Sequence, residues 1–397
     1  MSFLTDHRNT GILATSQAVF VTSQSMLAIL SGLVGLAIAD NAALATLPVS
    51  TVVVGATLAT IPASLLMQRI GRRAGFMMGG SIGVLGALVA SYALIIGNFW
   101  LFSFGTFLIG INSGFAQFYR FTAADASKPQ FKSRAISFVI AGGVIAAFAG
   151  PELTKRTHGL IEGTNFLGSY LILCGLGVLG IALISALKIP APSAQETGQS
   201  GRPLAEIARQ PSLIIAILVG VVAYSTMILL MTATPLAMIG HGFLIDDASF
   251  VIQWHMVAMF APAFVTGSII HRVGVDKVMV AGTVLLGVAI AVALSGDKII
   301  HFWTALFALG LGWNFAFIGA STLLTETYEA SEKGKVQALN DFMVFGMVTV
   351  ASLTSGGILY FLDWRAVNFA AIPAIAVALV ATLWLVRTRA DSGASAT

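Results

Sequence analysis

Long apolar stretches recur along the whole sequence, and this feature constrains the fold more than any other. A helix of about 20 apolar residues crosses the roughly 30 Å hydrocarbon core of a bilayer. Charged residues make up only 10% of the chain and hydrophobic residues 57%, so there is too little charge to cover the surface of a soluble protein. About twelve crossings of roughly 21 residues each would use most of the 397 residues. Any function must therefore lie within a membrane bundle.

We predict that every crossing is a helix, because lipid offers no water to satisfy the backbone and a helix satisfies it within one segment. The first stretch lacks the short apolar core and small-residue cleavage site of a secretory signal, so it is predicted to be retained. The fold class is an all-α membrane protein with twelve transmembrane helices. The predicted spans are residues 14–39, 42–67, 74–97, 98–122, 135–156, 166–188, 212–240, 249–270, 278–296, 299–326, 337–362 and 366–387.

Basic residues predict the orientation of these spans. All but four of the 21 Lys and Arg residues fall in alternate loops, at the termini or at the inner end of the fourth span. The positive-inside rule then predicts a protein of the bacterial inner membrane with both termini and the 189–211 segment on the cytoplasmic side. The net charge of +4 is thus explained as a topology signal, and no nucleic-acid partner is expected. The four exceptions are Lys155, Arg156, Lys298 and Arg365.

A polar segment divides the chain into two related halves. Residues 190–211 are rich in Pro, Gly and Ser and are predicted to be a cytoplasmic linker. It separates an N-terminal six-helix bundle, residues 1–189, from a C-terminal one, residues 212–397. Arg69-Ile70-Gly71 matches Arg272-Val273-Gly274 at an offset of 203 residues. Such similarity between halves is typical of a duplicated transporter.

The loop between the second and third spans carries a known motif. Gln68-Arg69-Ile70-Gly71-Arg72-Arg73 resembles the major facilitator superfamily signature G-x-x-x-D-R-x-G-R-R/K. Ser64 replaces the first glycine of that signature, and Gln68 replaces its aspartate. Arg69, Gly71, Arg72 and Arg73 keep the glycine turn and the arginines that can cap helix carbonyls. The resemblance implies the major facilitator fold, two pseudo-symmetric six-helix bundles, and transport by alternating access.

Two ligand pairs lie in the seventh and eighth spans. Met227 and Met231 are four residues apart, as are His255 and Met259, so each pair shares one helix face. At 1.5 Å per residue Met231 lies about 13 Å below the outer end, and His255 and Met259 about 9 and 15 Å below it. Three thioethers and one imidazole suit Cu(I). Methionine core packing, and a proton-relay or packing role for the histidine, are open alternatives.

These paired motifs resemble those of CcoA-type bacterial copper importers, a branch of the major facilitator superfamily that supplies copper for assembly of cbb3-type cytochrome oxidase. A sister branch that lacks the motifs resembles riboflavin importers. The resemblance implies that Met227, Met231, His255 and Met259 bind copper as the transported substrate. It further implies a cytoplasmic copper acceptor and no tightly bound cofactor. We expect the protein to act as a monomer within the lipid bilayer.

Further polar residues are weaker candidates. Met238 and His241 near the outer mouth could form a loose capture site. Asn112, Gln117 and Asn314 could line the substrate path, although hydrogen bonding between helices explains them equally well.

Several alternatives to copper import stay open. Ala149-Gly150-Pro151 resembles part of the glycine-proline motif of drug–proton antiporters, although a packing kink is the simpler interpretation. A sensor that does not transport is a further class. No nucleotide-binding loop or zinc motif is present, so we expect no enzyme activity. An importer of riboflavin or a similar planar solute would use aromatic stacking surfaces, for which the candidates are Phe115, Phe118, Tyr119, Trp313 and Phe315.

Overall fold

The computed structural model describes residues 3–40, 44, 47–189 and 201–394, and helices dominate this part of the chain. Short 3₁₀ turns at Pro129–Phe131 and Gly142–Val144 flank α6. The helices are α1 (Phe3–Ile38), α2 (Leu47–Ile70), α3 (Arg72–Ile96), α4 (Phe99–Ala116), α5 (Tyr119–Asp125), α6 (Lys132–Ala141), α7 (Ala146–Thr157), α8 (Leu167–Ser185), α9 (Leu204–Ile207), α10 (Pro211–Gly240), α11 (Ile245–Phe260), α12 (Ala263–Val273), α13 (Val275–Leu294), α14 (Ile299–Leu324), α15 (Lys333–Phe361) and α16 (Trp364–Ala394).

The described residues contain twelve segments long and apolar enough to cross a membrane, which confirms the predicted all-α membrane class. Three of these segments are interrupted helices: α4 with α5, α6 with α7, and α11 with α12. The first helix begins at Phe3, well before the predicted start at residue 14, because the polar residues ahead of the apolar stretch continue the same helix. The cytoplasmic location of the termini stays a prediction.

The predicted linker is described only in part, since its residues 190–200 lie outside the described residues. After them, Arg202 forms a two-pronged ion pair with Glu332: its Nε donates to Oε1 at 2.8 Å and its Nη2 to Oε2 at 2.7 Å. These hydrogen bonds lower the pKa of Glu332 to about 2. Gln210 donates to the carbonyl of Thr327 at 3.3 Å. The end of the linker is therefore fixed before Pro211 begins α10, a favoured position for proline.

The helices group into two compact units. The first contains the described residues of Met1–Ser127, Gly142–Ser200 and Gln337–Phe342, and the second contains the rest. Most of the predicted 1–189 bundle lies in the first unit and most of the predicted 212–397 bundle in the second. Sequence order did not predict that Lys128–Ala141, which includes α6, belongs to the second unit, or that Gln337–Phe342 within α15 belongs to the first.

Glycine at a helix crossing explains the position of α6. Ser133 donates from its hydroxyl to the carbonyl of Gly267 on α12 at 3.0 Å. A Cβ at Gly267 would stand 2.6 Å from the carbonyl oxygen of Ser133, so only glycine permits this approach. Small residues commonly allow such close contact between membrane helices, where no hydrophobic effect drives helices together.

Glycines also allow α2 to pack closely against α4 in the first unit. A Cβ added at Gly110 would lie 2.2 Å from the backbone oxygen of Val52, and one at Gly55 would lie 2.4 Å from that of Phe107. On α7, a Cβ at Gly150 would lie 2.5 Å from that of Ser25. Close packing against α1 therefore explains the glycine of the Gly150-Pro151 pair.

Replacing Gly110 by Ala should destabilise the protein by about 1–3 kcal/mol, because a methyl group would be forced into rigid backbone. Gly180→Ala on α8 is the matched control, since a Cβ there meets nothing within 4 Å. The thermal unfolding midpoint of each variant would be measured in detergent from the loss of monodisperse protein with temperature. Equal midpoints for the two variants would contradict the proposed close packing.

Candidate substrate-binding site

The four predicted copper ligands lie on α10 and α11 of the second unit. Met227, His255 and Met259 are buried, and Met231 is half-buried. The two helices contact each other, and both pack against α14, the most deeply buried of the twelve spans. Each helix thus contributes one predicted pair to the neighbourhood of α14.

The imidazole of His255 is held by one hydrogen bond. Its Nδ1 lies 2.7 Å from the carbonyl oxygen of Leu306 on α14. A carbonyl can only accept, so Nδ1 carries the proton of the neutral ring and Nε2 presents a lone pair. This Nε2 is buried, and no described residue forms a hydrogen bond with it. It can accept a hydrogen bond from a solute or bind a metal, and a carbonyl on the opposite nitrogen is the usual support for a metal-bound histidine.

The backbone of α11 lies unusually close to α14 beside this histidine. A Cβ at Gly310 would stand 2.6 Å from the carbonyl oxygen of His255 and 3.1 Å from the amide of Met259. Glycine at position 310 therefore lets the two helices meet. Trp313 follows three residues later, which places it on the same side of α14.

A kink follows Met259. Pro262 has no N–H, so the helical hydrogen bond to Ala258 is missing and α11 gives way to α12. Asn314 bridges the break: its Nδ2 donates to the carbonyl of Met259 at 2.6 Å, and its Oδ1 accepts from the hydroxyl of Thr266 at 2.7 Å. Asn314, predicted to line the path, is thus engaged in hydrogen bonding between helices.

An aromatic group surrounds Trp313, and we call it the Trp313 cluster: Tyr224, Phe260, Trp313, Phe317 and Phe345. Trp313 is stacked on Phe317 with ring centroids 5.0 Å apart, and its ring meets those of Tyr224 and Phe260 edge-on at 5.4 and 5.9 Å. Tyr224 also contacts Phe345 at 5.4 Å. The indole Nε1 of Trp313 is buried, and no described residue accepts its proton. The cluster combines flat apolar faces with one unused donor.

The remaining path candidates are dispersed. Met238 is fully buried, whereas His241 is exposed and its Nδ1 donates to the carbonyl of Ala237 at 2.7 Å. Gln117 accepts from Arg120 at 3.2 Å. Asn112 is half-buried at a close approach to α3, where a Cβ at Gly83 would lie 2.9 Å from its own. Whether any of them touches solute stays a prediction.

The residues of the predicted conformational motif divide by exposure. Arg69 and Arg73 are exposed, and Gly71 has a positive φ of 87° that favours glycine. Arg72 donates to the side-chain carbonyl of Gln337 and lies 3.7 Å from Asp125. These two residues provide polar contacts for Arg72 in a motif where Gln68 replaces the aspartate.

Sequence reasoning missed most of this site. Trp313 was the one member of the Trp313 cluster among the five predicted stacking residues. Tyr224 could have been found as the one aromatic residue of the seventh span, facing the same helix as the methionines. The buried pair Arg120 and Asp341 was missed as well, although each is the only charged residue within its predicted span.

Within the described residues, no three His, Cys, Asp or Glu side chains are close enough to hold a metal ion. A metal at the α10–α11 pairs would be bound by methionine sulfurs together with His255.

The sequence profile described as "Major Facilitator Superfamily" matches residues 13–252 and 219–397. This chain belongs to the Major Facilitator Superfamily. It is a multi-pass membrane transporter of that superfamily and not an enzyme. The match confirms the resemblance that the arginine motif indicated.

Among relatives in the superfamily, the riboflavin transporter RfnT of Brucella anthropi is 40% identical over 375 residues, which cover 94% of each chain. An MFS-type transporter of Bacillus subtilis, YdeG, is 28% identical over 76% of this chain and 74% of its own.

Solved structures of the superfamily share the fold. The fucose:proton symporter FucP of E. coli superposes with a TM-score of 0.74 at 17% identity, covering 94% of this chain and 98% of FucP. The human organic anion transporter MFSD10 gives a TM-score of 0.77 at 11% identity, covering 95% and 99%. At these identities the likeness concerns the fold alone.

Replacing Asn314 by Leu should destabilise the protein by about 1–3 kcal/mol, because the carbonyl of Met259 would lose a buried donor, whereas the hydroxyl of Thr266 keeps the carbonyl of Pro262 as an acceptor at 2.9 Å. Thr266→Val removes only one of the two hydrogen bonds and should cost less. Thermal unfolding in detergent would rank the variants, and an Asn314→Leu protein as stable as the wild type would refute this role.

Proposed function

We propose that this transporter carries riboflavin, or a planar heteroaromatic solute of the same class, into the cytoplasm. The observation that carries the proposal is the 40% identity to RfnT over 94% of both chains. A match of that coverage extends through both halves of the chain.

The Trp313 cluster supports this choice of solute. Stacked and edge-on aromatic contacts each contribute about 0.5–1.5 kcal/mol beyond the burial of apolar area. A tricyclic flavin ring offers a large flat face for such contacts. Rearranging one or two rings of the cluster would let the solute take the place of a protein–protein aromatic contact.

Unused polar groups near the cluster match the same solute. Trp313 offers an N–H donor and His255 a lone pair at Nε2. The flavin ring system carries carbonyl acceptors and an imide N–H donor, so each group has a counterpart. Binding sites for small molecules are commonly apolar with a few placed polar groups of this kind.

Copper import is a second candidate, favoured by the buried Met227, His255 and Met259 and by the orientation of His255. Thioethers and a neutral imidazole suit Cu(I), and methionine binds weakly enough to release its cargo. Supply of copper to cytochrome oxidase, through a cytoplasmic acceptor, depends on this second candidate. We rank it below riboflavin because RfnT covers nearly the whole chain.

Riboflavin uptake should depend on Trp313. In a riboflavin-auxotrophic host without an uptake system of its own, the wild-type gene should restore growth on low riboflavin. Trp313→Leu should reduce uptake about tenfold, equivalent to about 1.4 kcal/mol. Trp100→Leu, at a residue 66% exposed on α4, is the control and should leave uptake unchanged. No growth with the wild-type protein, correctly inserted, would refute riboflavin as the solute.

A copper site would respond to methionine replacement. If copper is carried, Met227→Leu with Met259→Leu should lower uptake of radiolabelled copper at least about fivefold, or about 1 kcal/mol, because leucine keeps the volume and removes the sulfur. Met343→Leu with Met347→Leu is the matched control, an M-x-x-x-M pair 43% and 42% exposed on α15. Equal copper uptake by both double variants would eliminate the copper site.

A further inference from the structure

An apolar groove lies on the surface of the second unit, between the start of α10 and the second half of α16. Its volume is about 590 Å³. All of its lining residues are apolar or aromatic. On α10 they are Pro211, Ile214 and Ile215, and on α16 they form a stripe that includes Ala376, Val380 and Trp384. The groove therefore suits an apolar occupant.

The groove opens toward the bilayer. Both of its helices belong to membrane-spanning segments, and the side chains at its rim are well exposed: Ile214 is 51%, Val380 67% and Trp384 48% exposed. Exposed apolar side chains of a membrane span lie against lipid tails, which are as apolar as the side chains themselves. The medium that fills the groove is therefore lipid rather than water.

The length of the groove fits one acyl chain. Ala376 and Trp384 are eight residues apart on α16, which is about 12 Å at 1.5 Å per residue. The hydrocarbon core of both leaflets together is about 30 Å thick, so one leaflet supplies about 15 Å. The groove thus extends through most of one leaflet, on the side where the linker and the C-terminal end of α16 lie.

Two arginines stand at the same end of the groove. Arg387 follows Val380 by seven residues and Trp384 by three, so it continues the lining stripe of α16 about 4.5 Å beyond the indole. Arg209 precedes Pro211 by two residues at the start of α10. Both side chains are exposed. An anionic group at the mouth of the groove would meet two positive charges.

These two arginines differ from their basic neighbours. Arg389 pairs with Glu326 at 2.8 Å, and Arg202 is held in the two-pronged ion pair described above. Arg209 and Arg387 form no ion pair within the part of the chain that the structure describes. Their charge is therefore available to a partner outside the protein.

Trp384 marks the depth of the membrane interface. Tryptophan is enriched where the hydrocarbon meets the headgroups, because its ring is apolar and its N–H can reach a polar partner. With Trp384 at that depth, Arg387 lies among the headgroups and Ala376 among the acyl chains. The order of polarity along the groove is thus the order within a phospholipid.

We propose that this groove is a binding site for an anionic phospholipid. One acyl chain lies between α10 and α16, and the phosphate lies beside Arg209 and Arg387. A zwitterionic lipid offers the same chain, but its cationic headgroup would face the two arginines. The net negative charge is therefore what the site selects. This site does not depend on which solute the transporter carries.

Native mass spectrometry of the purified protein would test the headgroup. The wild type should retain one phosphatidylglycerol molecule at a concentration where phosphatidylcholine with the same acyl chains is lost. Arg209→Gln with Arg387→Gln should weaken phosphatidylglycerol binding by about fivefold for each arginine, with little effect on phosphatidylcholine. Arg272→Gln with Lys277→Gln is the matched control, since both residues are exposed on the side predicted to be cytoplasmic and lie outside the groove.

Two results of that experiment would overturn the proposal. Equal retention of the two lipids by the wild type would show an apolar surface without headgroup selection. An equal loss of phosphatidylglycerol in both double variants would show a general effect of charge. Glycerol phosphate, which has the anionic group but no acyl chains, should not displace the bound lipid, and full displacement would contradict the role of the groove.

A bulkier side chain would test the acyl chain. Ala381 also lines the groove, so Ala381→Phe should fill it and weaken binding of both lipids. Leu383→Phe is the control, because Leu383 is 44% exposed on the same helix and is not a lining residue. Unchanged lipid retention by Ala381→Phe would contradict the placement of the chain.

Thermal unfolding of the wild type decides the question if the variants cannot be purified. A ligand that binds only the folded protein stabilises it, so phosphatidylglycerol should raise the unfolding midpoint in detergent more than phosphatidylcholine does. Identical midpoints with the two lipids would overturn the site.

Discussion

The absence of water from the hydrocarbon core is the constraint on which this structure depends. It forces every described span to be helical. It also requires each polar side chain within a span to find its hydrogen-bond partner inside the protein. Where a helix breaks after Met259, Asn314 donates to the carbonyl of Met259 and Thr266 to that of Pro262. Where a charge is buried at Asp341, Arg120 lies against it. Most buried polar side chains among the described residues form a hydrogen bond, and those without a partner stand out.

Two such groups lie on helices that meet at Gly310. Nε2 of His255 and Nε1 of Trp313 are both buried without a described partner. The hydrogen bond from His255 to Leu306 makes one of them an acceptor, and the indole makes the other a donor. With the rings of the Trp313 cluster, α10, α11, α14 and α15 thus supply neutral, flat and weakly polar groups. Such groups suit an uncharged aromatic solute better than an inorganic anion or a sugar phosphate.

Much of the fold could be predicted from the sequence, because span length and loop charge are local properties. The twelve spans, the end of the linker at Pro211 and the glycine turn at Gly71 all follow from composition within short windows. The membership of α6 in the second unit could not be predicted, because it depends on Gly267 meeting Ser133 across more than 130 positions in the chain. The cluster around Trp313 was missed for the same reason: its members come from four helices whose rotation the apolar pattern leaves open. The methionine pairs could be identified from the sequence, yet their spacing alone could not distinguish a metal site from core packing.

Equilibrium binding to the purified protein tests the central claim most directly. Riboflavin fluorescence should be quenched in a saturable manner on addition of the wild-type protein in lipid nanodiscs, and excess Cu(I) should leave the titration unchanged. Trp313→Phe, which keeps the ring stack but loses the N–H donor, should bind riboflavin more weakly. Absence of saturable quenching by the wild type, together with stoichiometric binding of Cu(I), would contradict riboflavin as the solute. It would favour the methionine pairs as the binding site of transported copper.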